Sequence, residues 1–376
     1  MYYLPFGVNF QRRLTVTEAI EMIYRILVIC VLSALCCCTA QAIQVEVHDP
    51  VLAKEGDFYY AFSTGPGITI YQSEDLEHWK WVGRVFEGEP DWARQTVPGF
   101  RGHLWAPDIV VKDGRFYLYY SVSAFGKNTS AMGVAVNETL DPDSPDYRWV
   151  DQGMVIQSVP NRDHWNAIDP AVIIDQDGTP WMSFGSFWQG LKLVRLDDDM
   201  VSLAEPQEWY SLARRPADPS APDDPGAGAI EAPFIFHHDG WYYLFVSFDK
   251  CCRGMDSDYN IRVGRSQDVR GPYADRDGKP LLEGGGTLVL EGNDNWVALG
   301  HNAAYRFDDS DYLVFHAYET ADKAKQKLRI LPIRWDDGWP TVDAADLDRL
   351  ATVLEGSGPP ENKRCLLYTS PSPRDL

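Results

Sequence analysis

Residues 43–350 carry short runs of alternating apolar and polar positions, interrupted by Gly, Asp and Pro. Alternation with a period of two is typical of β-strands, whereas an amphipathic helix repeats its apolar positions every three to four residues. No long helical pattern stands out in this part of the chain. The pattern therefore predicts an all-β fold.

The strand pattern recurs as a single phrase. Each copy has a polar or acidic start, an apolar strand, a turn that contains Asp and usually Gly, and an aromatic strand, an arrangement typical of a β-hairpin. Four close copies and a looser fifth are HDPVLAKEGDFYYAFST (48–64), WAPDIVVKDGRFYLYYSVS (105–123), AIDPAVIIDQDGTPWMSFGS (167–186), IEAPFIFHHDGWYYLFVSF (230–248) and HNAAYRFDDSDYLVFHAYE (301–319).

The spacing of these copies indicates a propeller. Pro50, Pro107, Pro170 and Pro233 stand at matching points, 57, 63 and 63 residues apart by subtraction. Each interval holds further strand-like runs, so one repeat has about four strands, the size of a propeller blade. Five copies predict a five-bladed β-propeller with four-stranded antiparallel blades around a central channel. A sandwich gives no reason for the repeat, and a β-helix needs a much shorter period.

Three acidic residues stand at the starts of these repeats. Asp49 and Asp169 precede their prolines by one position, and Glu231 precedes its proline by two. The first strand of each propeller blade lines the channel, so we expect the three carboxylates to converge at one end of it. Carboxylates that lie close together repel, and at least one pKa must rise. A protonated carboxyl beside an ionised one is what inverting glycoside hydrolysis requires.

The structural alternative is that these acids only cap turns. Asp-Pro is a common turn opener, which could explain Asp49 and Asp169. Glu231 is harder to explain in that way, because it stands between Ile230 and Ala232, and Glu is rarely buried without a partner. The three acids together favour catalysis.

Composition excludes several classes of function. The formal net charge of −21 argues against binding to nucleic acid and to anionic membranes, which need clustered Lys and Arg. The thirteen Trp and nineteen Tyr residues suit a β core and also stacking on sugars. Outside the two chain ends only Cys251 and Cys252 remain, so no disulfide framework is expected. The two form either a vicinal disulfide or, as we favour, buried thiols.

The two ends of the chain do not read as parts of the domain. Residues 22–42 have one Arg, an apolar run and an A-x-A ending at Ala42, which is the layout of a secretory signal peptide. Residues 1–21 are interpreted as an untranslated or disordered leader, and residues 351–376 as a disordered tail. Within that tail, residues 365–376 resemble translated sequencing-adapter sequence.

An ordered set of short motifs resembles one known family. HDP, LWAPDI, YYSVSAFGKNTSAMG, NAIDP, FGSFWQGLKL, IEAPFIF, SFDKCCRG, VGRS and GGGT follow one another between about Val47 and Pro340. They resemble glycoside hydrolase family 43, most of all its endo-1,5-α-L-arabinanases. One three-residue match would be weak evidence, but the ordered set is specific.

The resemblance implies a role for each site residue. Asp49 would be the general base, Glu231 the general acid, and Asp169 the residue that raises the pKa of Glu231 and positions it. A hydrated metal ion, commonly calcium, would lie in the channel and be held by His301, where this chain has Leu299 in place of the Pro found more often in the family. The expected sugar-binding residues are His48, Trp105, Phe125, Asn166 and Ser186.

The expected activity is cleavage of internal α-1,5 bonds of arabinan, with inversion, by a secreted or periplasmic monomer without an organic cofactor. One alternative is an exo-acting α-L-arabinofuranosidase or β-xylosidase on the same scaffold. Another is a propeller that binds carbohydrate without cleaving it, since a fold does not fix a function.

Overall fold

The computed structural model describes residues 43–216, 228–354 and 356–359. The expected leader (1–21), signal peptide (22–42) and adapter-like end (365–376) lie outside the described residues. Within the described part, no helix is long and apolar enough to cross a membrane.

The first three repeats fold as antiparallel sheets whose spatial order follows the chain. Blade 1 consists of β1 (Val51–Glu55), β2 (Phe58–Ser63), β3 (Thr69–Ser73) and β4 (His78–Arg84). Blade 2 consists of β5 (Trp105–Lys112), β6 (Arg115–Val122), β7 (Ser130–Asn137) and β8 (Val150–Ser158). Blade 3 consists of β9 (Ala171–Ile174), β10 (Pro180–Phe184), β11 (Leu191–Arg195) and β12 (Trp209–Ala213).

The last two repeats follow the same plan with one variation. Blade 4 consists of β13 (Ile230–His238), β14 (Trp241–Phe248), β15 (Asn260–Ser266) and β16 (Thr287–Leu290). Blade 5 has three strands, β17 (Trp296–Phe307), β18 (Ser310–Glu319) and β19 (Lys325–Pro332), followed by the separate hairpin of β20 (Arg334–Asp336) and β21 (Trp339–Thr341). Among the described residues, the connections hold one short helix, α1 (Ala93–Thr96), and 3₁₀ turns at Gly254–Asp256, Leu281–Glu283, Thr320–Asp322 and Ala344–Asp348.

The innermost strands close a ring. Strands β1, β5, β9, β13 and β17 each contact the next one in this order, and β17 contacts β1. This arrangement confirms the predicted five-bladed propeller around a channel. The blades are mostly four-stranded as predicted, with five strands in blade 1 and three in blade 5.

The two ends of the described chain meet between blades 1 and 5. The Val45 N–H donates to the Ala351 carbonyl over 2.9 Å, and the Val45 carbonyl accepts from the Leu328 N–H of β19 over 3.0 Å. Strand β22 (Thr352–Val353) then pairs in parallel with β4 and gives blade 1 its fifth strand. The ordered chain therefore extends past the predicted boundary at residue 350 and uses the first residues of the expected tail.

Apolar clusters fill the spaces between neighbouring blades, and strand β6 contributes side chains to two of them. Phe116, Leu118 and Tyr120 pack into the cluster shared with blade 1, whereas Tyr117 and Tyr119 pack into the cluster shared with blade 3. Successive side chains of a strand point to opposite faces. The second strand of a blade is therefore apolar on both faces, and each fully buried large side chain contributes about 1.5–3 kcal/mol.

Candidate active site

The five innermost strands share an unusual backbone conformation at their entrances. One residue shortly before each strand or within its first half has a left-handed φ between 45° and 59°, a conformation that is costly for residues other than Gly. We call these five the entrance residues: Asp49, Ala106, Asp169, Ala232 and His301. Three of the five, Asp49, Asp169 and His301, are site residues predicted from sequence.

A side chain from the preceding blade holds most of these entrance residues. The N–H of Ala106 donates to Thr64 Oγ1 over 2.8 Å, and the N–H of Asp169 donates to Ser121 Oγ over 3.1 Å. The same bond recurs further round the ring, from the His301 N–H to Ser247 Oγ over 2.9 Å. In each case the accepting side chain lies at the end of the second strand of its blade. These hydrogen bonds stabilise the strained conformation.

In blade 3 no hydroxyl accepts from the next entrance residue, and a carboxylate accepts instead. The position that holds a hydroxyl in blades 1, 2 and 4 is occupied in blade 3 by Gly185, whose N–H pairs with the Ile168 carbonyl. Glycine offers no acceptor, and the Ala232 N–H instead donates to Asp169 Oδ2 over 3.1 Å. The Asp169 side chain is therefore fixed next to the backbone that carries Glu231.

The Asp49 carboxylate is surrounded by hydrogen-bond donors and imidazole rings. Its Oδ1 lies 2.8 Å from His48 Nδ1 and 3.1 Å from His301 Nδ1, and its Oδ2 accepts from Thr64 Oγ1 over 2.5 Å. Burial alone would raise the pKa of Asp49, but the surrounding imidazoles, His301 first and then His48, lower it well below its ordinary value. Asp49 is therefore held as an ionised carboxylate.

His316 also contacts Asp49, but its ring is neutral. The Asp49 N–H donates to His316 Nδ1 over 3.1 Å, so this nitrogen is an acceptor and the ring is neutral. Burial lowers the pKa of His316 well below its usual value. Burial would also lower the pKa of His48, but the Asp49 carboxylate raises it well above its ordinary value. The two rings stack with their centroids 4.0 Å apart.

Glu231 occupies a different environment. It is 9 % exposed, and its Oε2 accepts from Ser186 Oγ over 2.7 Å. Burial raises the pKa of Glu231 to about 7, against the opposing effect of the Ser186 hydrogen bond. No imidazole among the described residues forms an ion pair with this carboxyl group, in contrast to Asp49. Glu231 can therefore hold a proton near neutral pH.

Asp169 lies close enough to both other acids to interact with their charges. Burial and then the charges of Glu231 and Asp49 raise the pKa of Asp169 well above its ordinary value, although the Ala232 N–H opposes this shift. Two buried carboxyl groups that interact in this way do not both ionise easily. Together, Asp49, Asp169 and Glu231 form what we call the carboxylate cluster.

The other residues predicted from sequence fall into two groups. His48, Ser186 and His301 contact the carboxylate cluster directly, as described above. Trp105 is half-buried and immediately precedes an entrance residue, Phe125 is 60 % exposed in the loop after β6, and Asn166 is buried in the segment before β9. These three lie at the strand-entrance end of their blades, and their contact with sugar stays a prediction.

The protein atoms around His301 do not supply the oxygen ligands that calcium prefers, so a calcium ion there would have to be hydrated. Calcium prefers six to eight oxygen ligands. Here His301 Nδ1 is engaged with Asp49, and the nearby donors are imidazole nitrogens with a single carboxylate. His316 Nε2 is buried and has no partner among the described residues, but with Nδ1 accepting a hydrogen bond it carries the proton of the neutral ring. Direct protein ligation of calcium does not fit, and no step below depends on it.

Sequence reasoning missed three residues of this site. Thr64 binds both Asp49 and an entrance N–H, His316 binds the Asp49 backbone, and the Tyr318 hydroxyl lies 2.8 Å from His48 Nε2. A usable signal was present for His316. It is the polar residue within the apolar run LVFHAY of β18, at the position that holds Ser121 and Ser247 in other blades.

Cys251 and Cys252, which we call the thiol pair, lie beside the same cluster. Both are free thiols and half-buried, with their sulfur atoms 2.7 Å apart. Cys251 Sγ lies 3.7 Å from Glu231 Oε1, and Cys252 Sγ lies 3.9 Å from His48 Nε2. A hydrogen bond from Cys251, with help from His48, lowers the pKa of Cys252 to about 5, against burial.

A carboxyl group that holds its proton and a carboxylate that stays ionised, at one end of a propeller channel, match the acid and base of a glycoside hydrolase. Comparison with known proteins agrees with this class. The model of glycosyl hydrolases family 43 matches residues 41–340, and the chain belongs to that family.

Individual relatives are similar over most of their length. An extracellular exo-α-(1→5)-L-arabinofuranosidase of Cellvibrio japonicus is 59% identical over 307 residues, which cover 81% of this chain and 88% of that protein. An extracellular endo-α-(1→5)-L-arabinanase of Bacillus subtilis is 41% identical over 299 residues, covering 78% and 87%. The solved structure of Cellvibrio cellulosa α-L-arabinanase complexed with arabinohexaose is 57% identical, with a TM-score of 0.81 and coverage of 83% and 100%.

Proposed function

We propose that this protein hydrolyses the α-1,5-linked L-arabinofuranose chain of arabinan with inversion of configuration. The observation that carries the proposal is that Asp49 and Glu231 lie in one buried cluster with different neighbours. Two imidazoles and a hydroxyl contact Asp49 and lower its pKa, whereas Glu231 has a hydroxyl donor and burial raises its pKa. The relatives support the substrate, because those named above act on α-1,5-arabinan by name and one was solved with arabinohexaose.

In the proposed reaction, Asp49 takes a proton from a water molecule whose oxygen attacks the anomeric carbon. Glu231 gives its proton to the glycosidic oxygen as the bond between that oxygen and the anomeric carbon breaks. General acid and base groups of this kind each contribute typically 10²–10⁴-fold to the rate. Asp169 positions the acid, because its Oδ2 accepts from the N–H of Ala232, the residue next to Glu231, and its carboxyl group interacts with that of Glu231.

The proposed mode of cleavage is release from a chain end. The 59% identical relative is named exo-acting, whereas the endo-acting relative is 41% identical. Cleavage of internal bonds, which the motif resemblance implies, is the second candidate, supported by the endo-arabinanase relatives. The difference depends on whether loops close one end of the groove.

The product profile on linear, debranched arabinan tests both statements. Exo action should give one product size from the first minutes and a slow loss of viscosity. Endo action should give mixed oligosaccharides and a fast loss of viscosity. Proton NMR of the first product should show the β-anomer from the α-linked chain. An α-anomer as first product would contradict inversion, and lack of turnover on any pentosan would favour the carbohydrate-binding alternative.

Three expectations accompany the proposal. Secretion is supported by the relatives that are named extracellular. A monomeric state is proposed on the sequence alone.

An ion in the channel would need water for most of its ligands. Loss of activity on chelation, followed by recovery with calcium, would support the presence of such an ion.

A further inference from the structure

The proposed mechanism gives no role to the thiol pair, although the pair lies beside Glu231 and beside the histidine that contacts Asp49. Cys251 Sγ is 3.7 Å from the Glu231 carboxylate, and Cys252 Sγ is 3.9 Å from His48 Nε2. Both cysteines and His48 are half-buried, so none of the three residues is closed off from solvent. Two sulfur atoms and one imidazole nitrogen therefore converge beside the reacting groups.

We propose that Cys251, Cys252 and His48 form a three-ligand site for a thiophilic divalent cation such as zinc or cadmium, and that its occupation inhibits hydrolysis. The three donor atoms lie within 4.8 Å of one another. Two thiolates and one imidazole are a ligand set that binds zinc in enzymes and leaves a fourth position open to water. This inference goes beyond the proposed function.

The donor distances are close to what such an ion requires. Tetrahedral bonds of about 2.3 Å to sulfur and 2.0–2.1 Å to nitrogen place a sulfur and a nitrogen about 3.6 Å apart, and two sulfurs about 3.8 Å apart. The Cys252 sulfur and His48 Nε2 are 3.9 Å apart, so they need little movement. The two sulfurs are 2.7 Å apart and must separate by about 1 Å, which side-chain rotation of one cysteine supplies.

Tyr318 preorganises two of the three ligands. Its hydroxyl oxygen accepts from the Cys252 N–H over 3.3 Å and lies 2.8 Å from His48 Nε2. Cys252 also has a left-handed φ of 63°, which fixes the direction of its side chain. Binding replaces the Tyr318 contact of His48 by a bond to the cation, and the protons of the Cys251 thiol and of His48 Nε2 pass to solvent.

Inhibition follows from the position of the ion. A cation held by Cys251 lies beside Glu231, whose Oε1 is 3.7 Å from the Cys251 sulfur, and its open fourth position can take that oxygen and keep it from the glycosidic oxygen. The cation also binds His48, the imidazole that pairs with Asp49, and changes the charge next to that carboxylate. Both effects act on the carboxylate cluster without contact to the sugar itself.

Cadmium is the direct probe, because thiolate-to-cadmium charge transfer absorbs in the ultraviolet. The full chain is reduced, freed of metal, and titrated with cadmium as wild type and as the Cys251→Ser/Cys252→Ser double variant, which keeps the other five cysteines. The wild type should show one additional equivalent of bound cadmium. Removing both ligands should weaken that equivalent at least about 100-fold, since loss of a supporting group alone costs 10–100-fold.

The Cys365→Ser variant is the matched control, because it removes a thiol remote in sequence and should bind cadmium as the wild type does. Zinc should inhibit arabinan hydrolysis by the wild type and by Cys365→Ser more strongly than hydrolysis by the double variant. Inhibition is compared as the ratio of activity with and without the metal in each variant. Thermal midpoints show that each variant is folded. Equal cadmium stoichiometry and equal inhibition ratios in wild type and double variant would overturn the proposal, as would failure of the reduced wild type to bind the additional equivalent.

Discussion

Asp49 and Glu231 are carboxyl groups at one end of one channel, yet their surroundings act in opposite directions. Two imidazoles and the Thr64 hydroxyl contact the Asp49 carboxylate, which lowers its pKa. Around Glu231 are the Ser186 hydroxyl and a thiol, and burial raises its pKa to about 7. Both are buried to a similar extent. The neighbouring donors, rather than burial or residue type, therefore assign the proton.

The groups that contact the two carboxyl groups come from different blades. Asp49 is served by blade 5, through His301 and His316, while Glu231 is served by blade 3, through Ser186 and Asp169. A pair of titratable groups whose environments push their pKa values apart marks the acid and the base of a site. The predictions below test whether this division holds.

The largest expected effect comes from removing either carboxyl group. Glu231→Gln and Asp49→Asn should each lower kcat by about 10²–10⁴-fold, the usual contribution of a general acid or base. Calorimetry with arabino-oligosaccharides should show that Glu231→Gln still binds sugar. If either variant retains more than a tenth of wild-type kcat with unchanged product anomer, the proposed division of roles is wrong.

Thr64→Val should have the next largest effect. The Thr64 hydroxyl donates to Asp49 Oδ2 and accepts from the Ala106 N–H. A hydrogen bond to a charged group contributes about 1.5–3 kcal/mol, so kcat/KM should fall by about 10–100-fold. Thr341→Val is the control, because its exposed hydroxyl contacts only the Arg334 carbonyl in the hairpin of blade 5. Equal activity of the two variants would contradict the role of Thr64.

The pH profile of the wild type should show the asymmetry directly. Glu231 must be protonated as the acid, and its raised pKa of about 7 keeps it protonated below that pH. Asp49 must be ionised, and its lowered pKa keeps it ionised in mild acid. The value of kcat/KM should stay level from mild acid to about pH 7 and then fall about tenfold per pH unit. A fall on the acid side near neutral pH would contradict the assignment.

The smallest effect is expected from Ser186→Ala. The Ser186 hydroxyl donates to Glu231 Oε2 and thereby favours the ionised form. Without this bond the pKa of Glu231 rises further, and the alkaline limb should move up by about one pH unit. Ser183→Ala is the control, because that buried hydroxyl donates to the Ala171 carbonyl in the same blade. A downward shift in Ser186→Ala alone would show that the hydroxyl favours the protonated acid.

Much of this protein could be predicted from its sequence because the signals are local. Alternating apolar positions, Asp-Gly turns and the regular spacing of Pro50, Pro107 and Pro170 indicated a propeller. Since entrance positions of a propeller face one axis, the repeat also predicted that Asp49, Asp169 and Glu231 would meet. The structure brings them together within reach of each other's charge.

Other features could not be predicted because they depend on contacts between distant parts of the chain. The Asp49 N–H is 267 residues away from the imidazole that binds it, and His48 is 270 residues from the Tyr318 hydroxyl. Likewise, only the folded structure shows that Gly185 occupies the position of an acceptor side chain and leaves the Ala232 N–H to Asp169.

The sequence by itself determined the blades, the ring and which carboxyl groups reach the channel, because strand periodicity and turn chemistry act over a few residues. Only the tertiary structure decided which of these carboxyl groups holds a proton. A pKa depends on burial and on charges and donors within a few ångströms, and here blades far apart in the chain supply them.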